Sequence, residues 1–239
     1  MLTASEPEAN DLIREPNDNP MRIRITHQRI TLVLQLILLL EAVLAVWSQR
    51  WFTAFLSSMI ILITLVPLVF ERRFRIHIPP DLQLAAICFV FASLFLGEIR
   101  DYYTRFWWWD MMLHTLSGFL LGIVGFLLVH IMNEIDDIHV HMKPGFVAFF
   151  AFMFALGMGA LWEIFEFAMD SLLGMNMQKP MLGDPSGLTD TMWDLIVDAV
   201  GALVISILGW RYLKNPGQKS LLERWIDAFV ARNPQLFRR

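Results

Sequence analysis

The chain has 239 residues, of which 56% are hydrophobic and 18% charged, and its formal net charge is −4. A mean hydropathy of +0.51 is too high for an ordinary soluble core and assigns the chain to lipid. No Lys/Arg block is long enough for nucleic acid, and the single cysteine, Cys88, excludes an internal disulfide and a thiolate metal cage.

Residues 1–29 read as a disordered cytoplasmic tail, since the first 20 hold Glu6, Glu8, Asp11, Glu15 and Asp18 among three prolines, with little apolar surface to offset ordering entropy. The apolar run Ile30–Ser48 lies too far from the N-terminus for a signal peptide and carries Glu41, so it reads as an uncleaved first span. Glu41 is expected either to join the acids described below or to be a hydrogen-bonded or protonated lone acid. Further spans are expected at Trp51–Phe70, Leu82–Gly97, Met111–His130, Gly145–Met169 and Trp193–Tyr212. Strand-like alternation is absent, which predicts an all-α, polytopic bundle of about six transmembrane helices over residues 30–212.

Basic residues flank the first, second and sixth spans: Arg22, Arg24 and Arg29; Arg72, Arg73 and Arg75; Arg211, Lys214 and Lys219. The positive-inside rule then places both termini in the cytoplasm. The segment 213–239 is expected as a cytoplasmic tail with an amphipathic helix, Leu221, Leu222, Trp225, Ile226, Phe229 and Val230 sharing one face. That face suits either the membrane surface or the underside of the bundle.

On this topology the intramembrane charges gather at the outer side. Glu98 ends the third span, Asp110 and His114 begin the fourth, Glu163, Glu166 and Asp170 end the fifth, and Asp190, Asp194 and Asp198 begin the sixth. Spacings of three and four put each set on one helical face, neighbours about 5–6 Å apart. An ionised carboxylate at mid-membrane costs roughly 2.5–3.5 kcal/mol, so the acids together require a bound cation, shared protons or basic partners. The nearby basic supply is Arg100, Arg105, Lys179 and Arg50.

A cation site built from Asp110, His114, Glu163, Glu166, Asp170, Asp190, Asp194 and Asp198 is therefore expected. Oxygen ligands with one imidazole favour Mg²⁺, Mn²⁺ or Ca²⁺, with Zn²⁺ and Fe²⁺ as alternatives. His114, Glu163 and Glu166 are the candidate catalytic residues, and Arg100 and Arg105 are candidates for an anionic headgroup. Membrane lipids are the expected partners, with a lipid-linked small molecule as substrate. "DDIHVH", with Asp136, Asp137, His139 and His141, reads as a solvated loop, and Phe106 to Trp109 as an interfacial aromatic belt. Glycines 118, 122, 125, 157 and 159 predict close helix approach.

The segments "WDMMLHTLSGF", "WEIFEFAMD" and "GDPSGLTDTMWDLIVDAVGAL" resemble the YjdF-like family of bacterial inner-membrane proteins. The resemblance is carried by Asp110, His114, Gly118, Phe119, Glu163, Gly183, Asp184, Asp190, Thr191, Trp193 and Asp194, across the last three spans. A weaker similarity is to VanZ-like membrane proteins, although Asp198 stands where their pattern has Asn. Both resemblances imply a multi-span envelope protein and neither carries a reaction. The residues themselves leave three functions open: a metal-dependent hydrolase of a lipid-linked or envelope substrate, a cation- or proton-coupled transporter, and a non-catalytic protein with a structural cation.

Overall fold

The computed structural model describes residues 20–74, 76–134, 142–214 and 221–234. Residues 1–19 of the expected disordered tail and the residues of "DDIHVH" lie outside them, whereas residues 20–29, also expected in that tail, are helical as the start of the first helix. Among the described residues the chain is helical throughout and has no strand beyond a lone bridge between Met181 and Asp184. Helices α1 (Pro20–Trp47) and α2 (Trp51–Phe74) pair with each other, and α3 (Pro80–Val90) runs on as a π-helix, Phe91–Ile99. A short α4 (Tyr102–Arg105) leads into α5 (Trp109–Glu134), α6 (Pro144–Leu173) and α7 (Leu188–Lys214), which pack on one another as a trio. The last helix, α8, spans Leu221–Arg232.

Five stretches are long and apolar enough to cross a membrane: Arg29–Trp47, Pro80–Ile99, Trp109–His130, Pro144–Leu173 and Leu188–Lys214. Helix α2 has 24 residues, but its apolar part, Trp51–Val66, is shorter than these. The third span is longer than its 16 expected residues because Pro80 starts the helix two residues early and the π-turns carry it to Ile99. Proline suits a first helical turn, where its missing N–H would have no partner. Leu40, Phe55, Leu62, Phe149, Ile164 and Phe167 all face outward, a set of large apolar side chains suited to lipid.

Close approach of the trio rests on glycine. A Cβ on Gly201 of α7 would lie 2.0 Å from the Thr115 carbonyl oxygen of α5, and one on Gly118 would lie 2.2 Å from the Asp198 carbonyl oxygen. Gly122, Gly125 and Gly159 are likewise crowded, whereas Gly157 faces open space. Of the two places open to α8, it takes the one against the bundle. Ile226 and Phe229 join Ile123, Phe126, Val147 and Ile205 in one core, and the Trp225 ring meets Phe119 edge-on. Fully buried Asn233 fastens this end: its Oδ1 accepts the His77 N–H at 2.6 Å, and its Nδ2 donates to the His77 carbonyl at 2.8 Å.

Candidate metal centre

At the end of the bundle where α5 and α7 begin and α6 ends, four helical turns face one imidazole. His114 sits one turn inside α5, and three carboxylate oxygens surround its Nε2: Asp110 Oδ1 and Glu163 Oε1, each at 3.7 Å, and Asp194 Oδ2 at 3.9 Å. Ligand atoms of Asp110, His114 and Asp194 all lie within 4.8 Å of one another. Such separations approximate the edges of a coordination shell whose ligands stand about 2.1–2.4 Å from a central ion.

The other ring nitrogen has a different neighbour. Asp198 Oδ2 lies 3.2 Å from His114 Nδ1, and Asp198 Oδ1 accepts the Ser117 hydroxyl at 2.6 Å. A carboxylate on Nδ1 fixes the imidazole's orientation and leaves the Nε2 lone pair for a metal. Asp198 thus stands behind the histidine, facing away from the other three acids. Gly159 makes room for it, since a Cβ there would come within 2.3 Å of Asp198 Oδ2.

Burial makes the arrangement expensive without a cation. Asp194 is fully buried and Glu163 is 4% exposed, yet neither carboxylate receives a hydrogen bond from the described residues. The Thr191 hydroxyl acts on Glu163 only as a weak donor, short of full hydrogen-bond geometry. A buried polar atom without a partner costs about 1–3 kcal/mol, and more when charged. Asp110, with a side chain 21% exposed, is the one member that opens outward.

The remaining acids serve the loop between α6 and α7. Asp170 accepts the N–H groups of Met177 and Gln178 at 2.7 and 2.9 Å, and Asp190, itself buried, accepts the Lys179 N–H at 2.6 Å. Gln178 donates to the Thr191 hydroxyl at 2.7 Å, and Gly187 lets its backbone pass where a Cβ would stand 2.7 Å from Gln178 Cβ. Asp184 accepts the N–H of Ser186 and both the N–H and hydroxyl of Thr189, which caps α7. Hydrogen bonds from Ser186, then Thr189, hold its carboxyl well below the usual carboxylate range.

Glu166 lies at the rim, where the Trp162 indole donates to it at 2.9 Å. Tyr103 of α4 lies beside it: burial pushes its phenol well above the usual range, a hydrogen bond with Ser93 opposes this, and the charges of Asp110, Glu98 and Glu166 add to the rise. The Lys179 ammonium donates to the Asn176 carbonyl and lies 6.0 Å from the Tyr103 ring centroid. Arg105 pairs with Asp101 at 3.9 Å, and Arg100 bonds to Glu41 of α1. Three of the eight expected ligands, Asp110, His114 and Asp194, therefore come together closely enough for one ion, and Glu163 approaches the same imidazole nitrogen.

Comparison with known proteins agrees with this picture of a membrane bundle. Residues 30–215, from the first span to the end of α7, match the family described as predicted membrane protein, DUF2238. The chain belongs to the DUF2238 family. An uncharacterized protein of Thermotoga maritima is similar at 30% identity over 146 residues, 61% of this chain and 70% of the relative. No solved structure matches. All the converging residues lie inside the DUF2238 match, as do Ser117, Thr191, Lys179 and Tyr103, which sequence reasoning did not assign to the site. Single hydroxyl groups within helices and a loop lysine carry no ligand-spacing signal, so only the folded arrangement places them at the site.

Removing the carboxylate behind His114 tests whether an ion is held on Nε2. Asp198→Asn is expected to weaken Mn²⁺ binding about 10–100-fold while leaving one ion per protein at saturation. Isothermal titration of the purified variant measures this. Wild-type affinity in Asp198→Asn would remove the orienting role.

Proposed function

We propose that this protein holds a divalent cation between Asp110, His114, Glu163 and Asp194 and uses it to hydrolyse a phosphoryl or acyl bond of a lipid-linked substrate. The observation carrying this reading is the pair of buried carboxylates, Glu163 and Asp194, that face the imidazole without hydrogen-bond donors. Three oxygen ligands and one nitrogen favour Mg²⁺, Mn²⁺ or Ca²⁺, with Zn²⁺ or Fe²⁺ as weaker fits. A cation there polarises the scissile group and lowers the pKa of a bound water.

The partly exposed Asp110 marks the side from which substrate enters. His114 has Nδ1 on Asp198 and Nε2 in the ligand set, which leaves neither nitrogen for proton transfer. The base role passes to Glu166, at the rim beside Trp162. By the positive-inside rule both termini are cytoplasmic and the site opens on the outer face of a bacterial inner membrane. Trp107 and Trp108, both exposed, set its depth near the headgroups, within reach of a lipid-linked substrate.

One observation favours a second reading. Three of the four ligands are more than nine-tenths buried, as in a closed site whose cation only joins helices. Elemental analysis together with turnover separates the two. Purified protein with Mn²⁺ is expected to carry one ion and to release product from lipid phosphate or ester substrates, and Glu166→Gln is expected to retain the ion and lose turnover. A bound ion with no turnover on any of these substrates assigns a structural cation. No ion after add-back of Mn²⁺, Mg²⁺ and Zn²⁺ refutes both readings and points to carboxylates that share protons, with proton-coupled flux as the next assay.

A further inference from the structure

Glu41 lies in the apolar span Arg29–Trp47 and is 5% exposed, a buried carboxylate apart from the acidic cluster. Two arginines from different connections meet on it. Arg50, between α1 and α2, donates Nη2 to Oε1 at 3.2 Å, and Arg100, after the π-helix, donates Nη2 to Oε2 at 2.8 Å. The Phe95 ring, 5.2 Å from the Arg100 guanidinium carbon, supports the second of these. One carboxylate balances one guanidinium, which leaves the trio with an excess positive charge.

Neighbouring acids do not remove that excess. Asp101 pairs with Arg105, and among the described residues Glu98 forms no ion pair with either guanidinium, both of which pair with Glu41. Each guanidinium has five N–H donors, of which the bonds to Glu41 use only those on Nη2. The arginine side chains are 51% and 50% exposed, so much of this donor surface remains uncovered.

Depth decides what can cover it. Glu41 precedes Trp47 by six residues, about 9 Å along a helix, and exposed Trp47 and Trp51 mark the headgroup zone. The two guanidiniums reach down from that zone towards Glu41, to the boundary with hydrocarbon, where donors lacking partners are costly. A lipid phosphate occupies this boundary, and guanidinium groups match its oxygens two at a time.

We infer that Arg50 and Arg100, clamped together by Glu41, bind the phosphate group of a phospholipid headgroup, one lipid to each protein. This site is separate from the metal centre, and its test does not depend on any hydrolytic activity. The full chain in neutral detergent is titrated with phosphatidylglycerol and followed by native mass spectrometry, with inorganic phosphate added in parallel. One tightly held lipid is expected in the wild type, with affinity reduced roughly tenfold or more in Arg50→Gln/Arg100→Gln.

Because that variant strands the buried Glu41, the same change is also made together with Glu41→Gln, which removes acid and bases at once. The triple variant is expected to bind as weakly as the double, and Lys214→Gln, at the opposite end of the bundle, as tightly as the wild type. Lipid retention by the triple variant equal to wild type would overturn the assignment, as would an equal loss in Lys214→Gln. Displacement of the lipid by millimolar inorganic phosphate would overturn the lipid source and assign the pair to a soluble anion.

Discussion

Asp194→Asn is expected to weaken binding of the proposed divalent cation about 100-fold and so to reverse the stability order of variant and wild type between metal-free and metal-loaded conditions. Asp194 is fully buried, and its oxygens have no hydrogen-bond donor among the described residues. In the metal-free protein this carboxylate is a cost, so the neutral amide should melt no lower than the wild type. With Mn²⁺ the order inverts. At a free ion concentration of about 100 Kd, binding stabilises the wild type by about 2.7 kcal/mol. A 100-fold loss of affinity in the variant leaves about 0.4 kcal/mol of that at the same concentration. Thermal unfolding with Mn²⁺ and with chelator, beside elemental analysis of each sample, reads both halves. An Asp194→Asn protein that melts higher than wild type in both conditions, with no metal in either, would leave the cluster without a cation.

This convergence was only partly legible in the sequence, for a geometric reason. Asp190, Asp194 and Asp198 recur every four residues, which places them on one face but spreads them over about 12 Å of helix. A cation reaches ligands only about 2–2.5 Å away, so one stripe supplies a single acid to the centre and the others must find different partners. Asp190 finds the Lys179 N–H and Asp198 finds His114 Nδ1. The same argument separates Glu163 from Asp170, seven residues on, which ties down Met177 and Gln178.

Spacing reveals a face, whereas depth and rotation belong to the packing. Five of the six expected spans were readable because hydropathy over about 20 residues responds to the bilayer itself, and the second, in α2, has a shorter apolar stretch. The π-turns of Phe91–Ile99 were not readable, and the choice of the bundle over the membrane surface for α8 stayed open because it depends on partners distant in the chain. Glu41 illustrates the limit from the other side. Its burial was evident from the apolar run around it, but the two arginines that meet it come from connections whose approach no local pattern encodes.

Gly201→Ala is expected to destabilise the bundle by about 3 kcal/mol, at the upper end of typical overpacking costs, and to weaken metal binding in the same variant. The added Cβ would stand 2.0 Å from the Thr115 oxygen and 2.9 Å from the Phe119 nitrogen, where ordinary contact begins at 3.4 Å. Both are main-chain atoms of α5, so no side-chain rotation can relieve the clash and the helices must separate. Asp198 lies three residues before Gly201, and His114 immediately precedes Thr115, so separation there pulls apart the carboxylate and imidazole that meet at 3.2 Å. Gly157→Ala supplies the contrast. Nothing lies within 4 Å of its added Cβ, so only the helix-propensity gain of about 1 kcal/mol applies, and that variant should melt at or above wild type. Thermal unfolding in detergent and Mn²⁺ titration of both variants test the pair. Equal melting of Gly201→Ala and Gly157→Ala would mean that contact between α5 and α7 does not hold the site together.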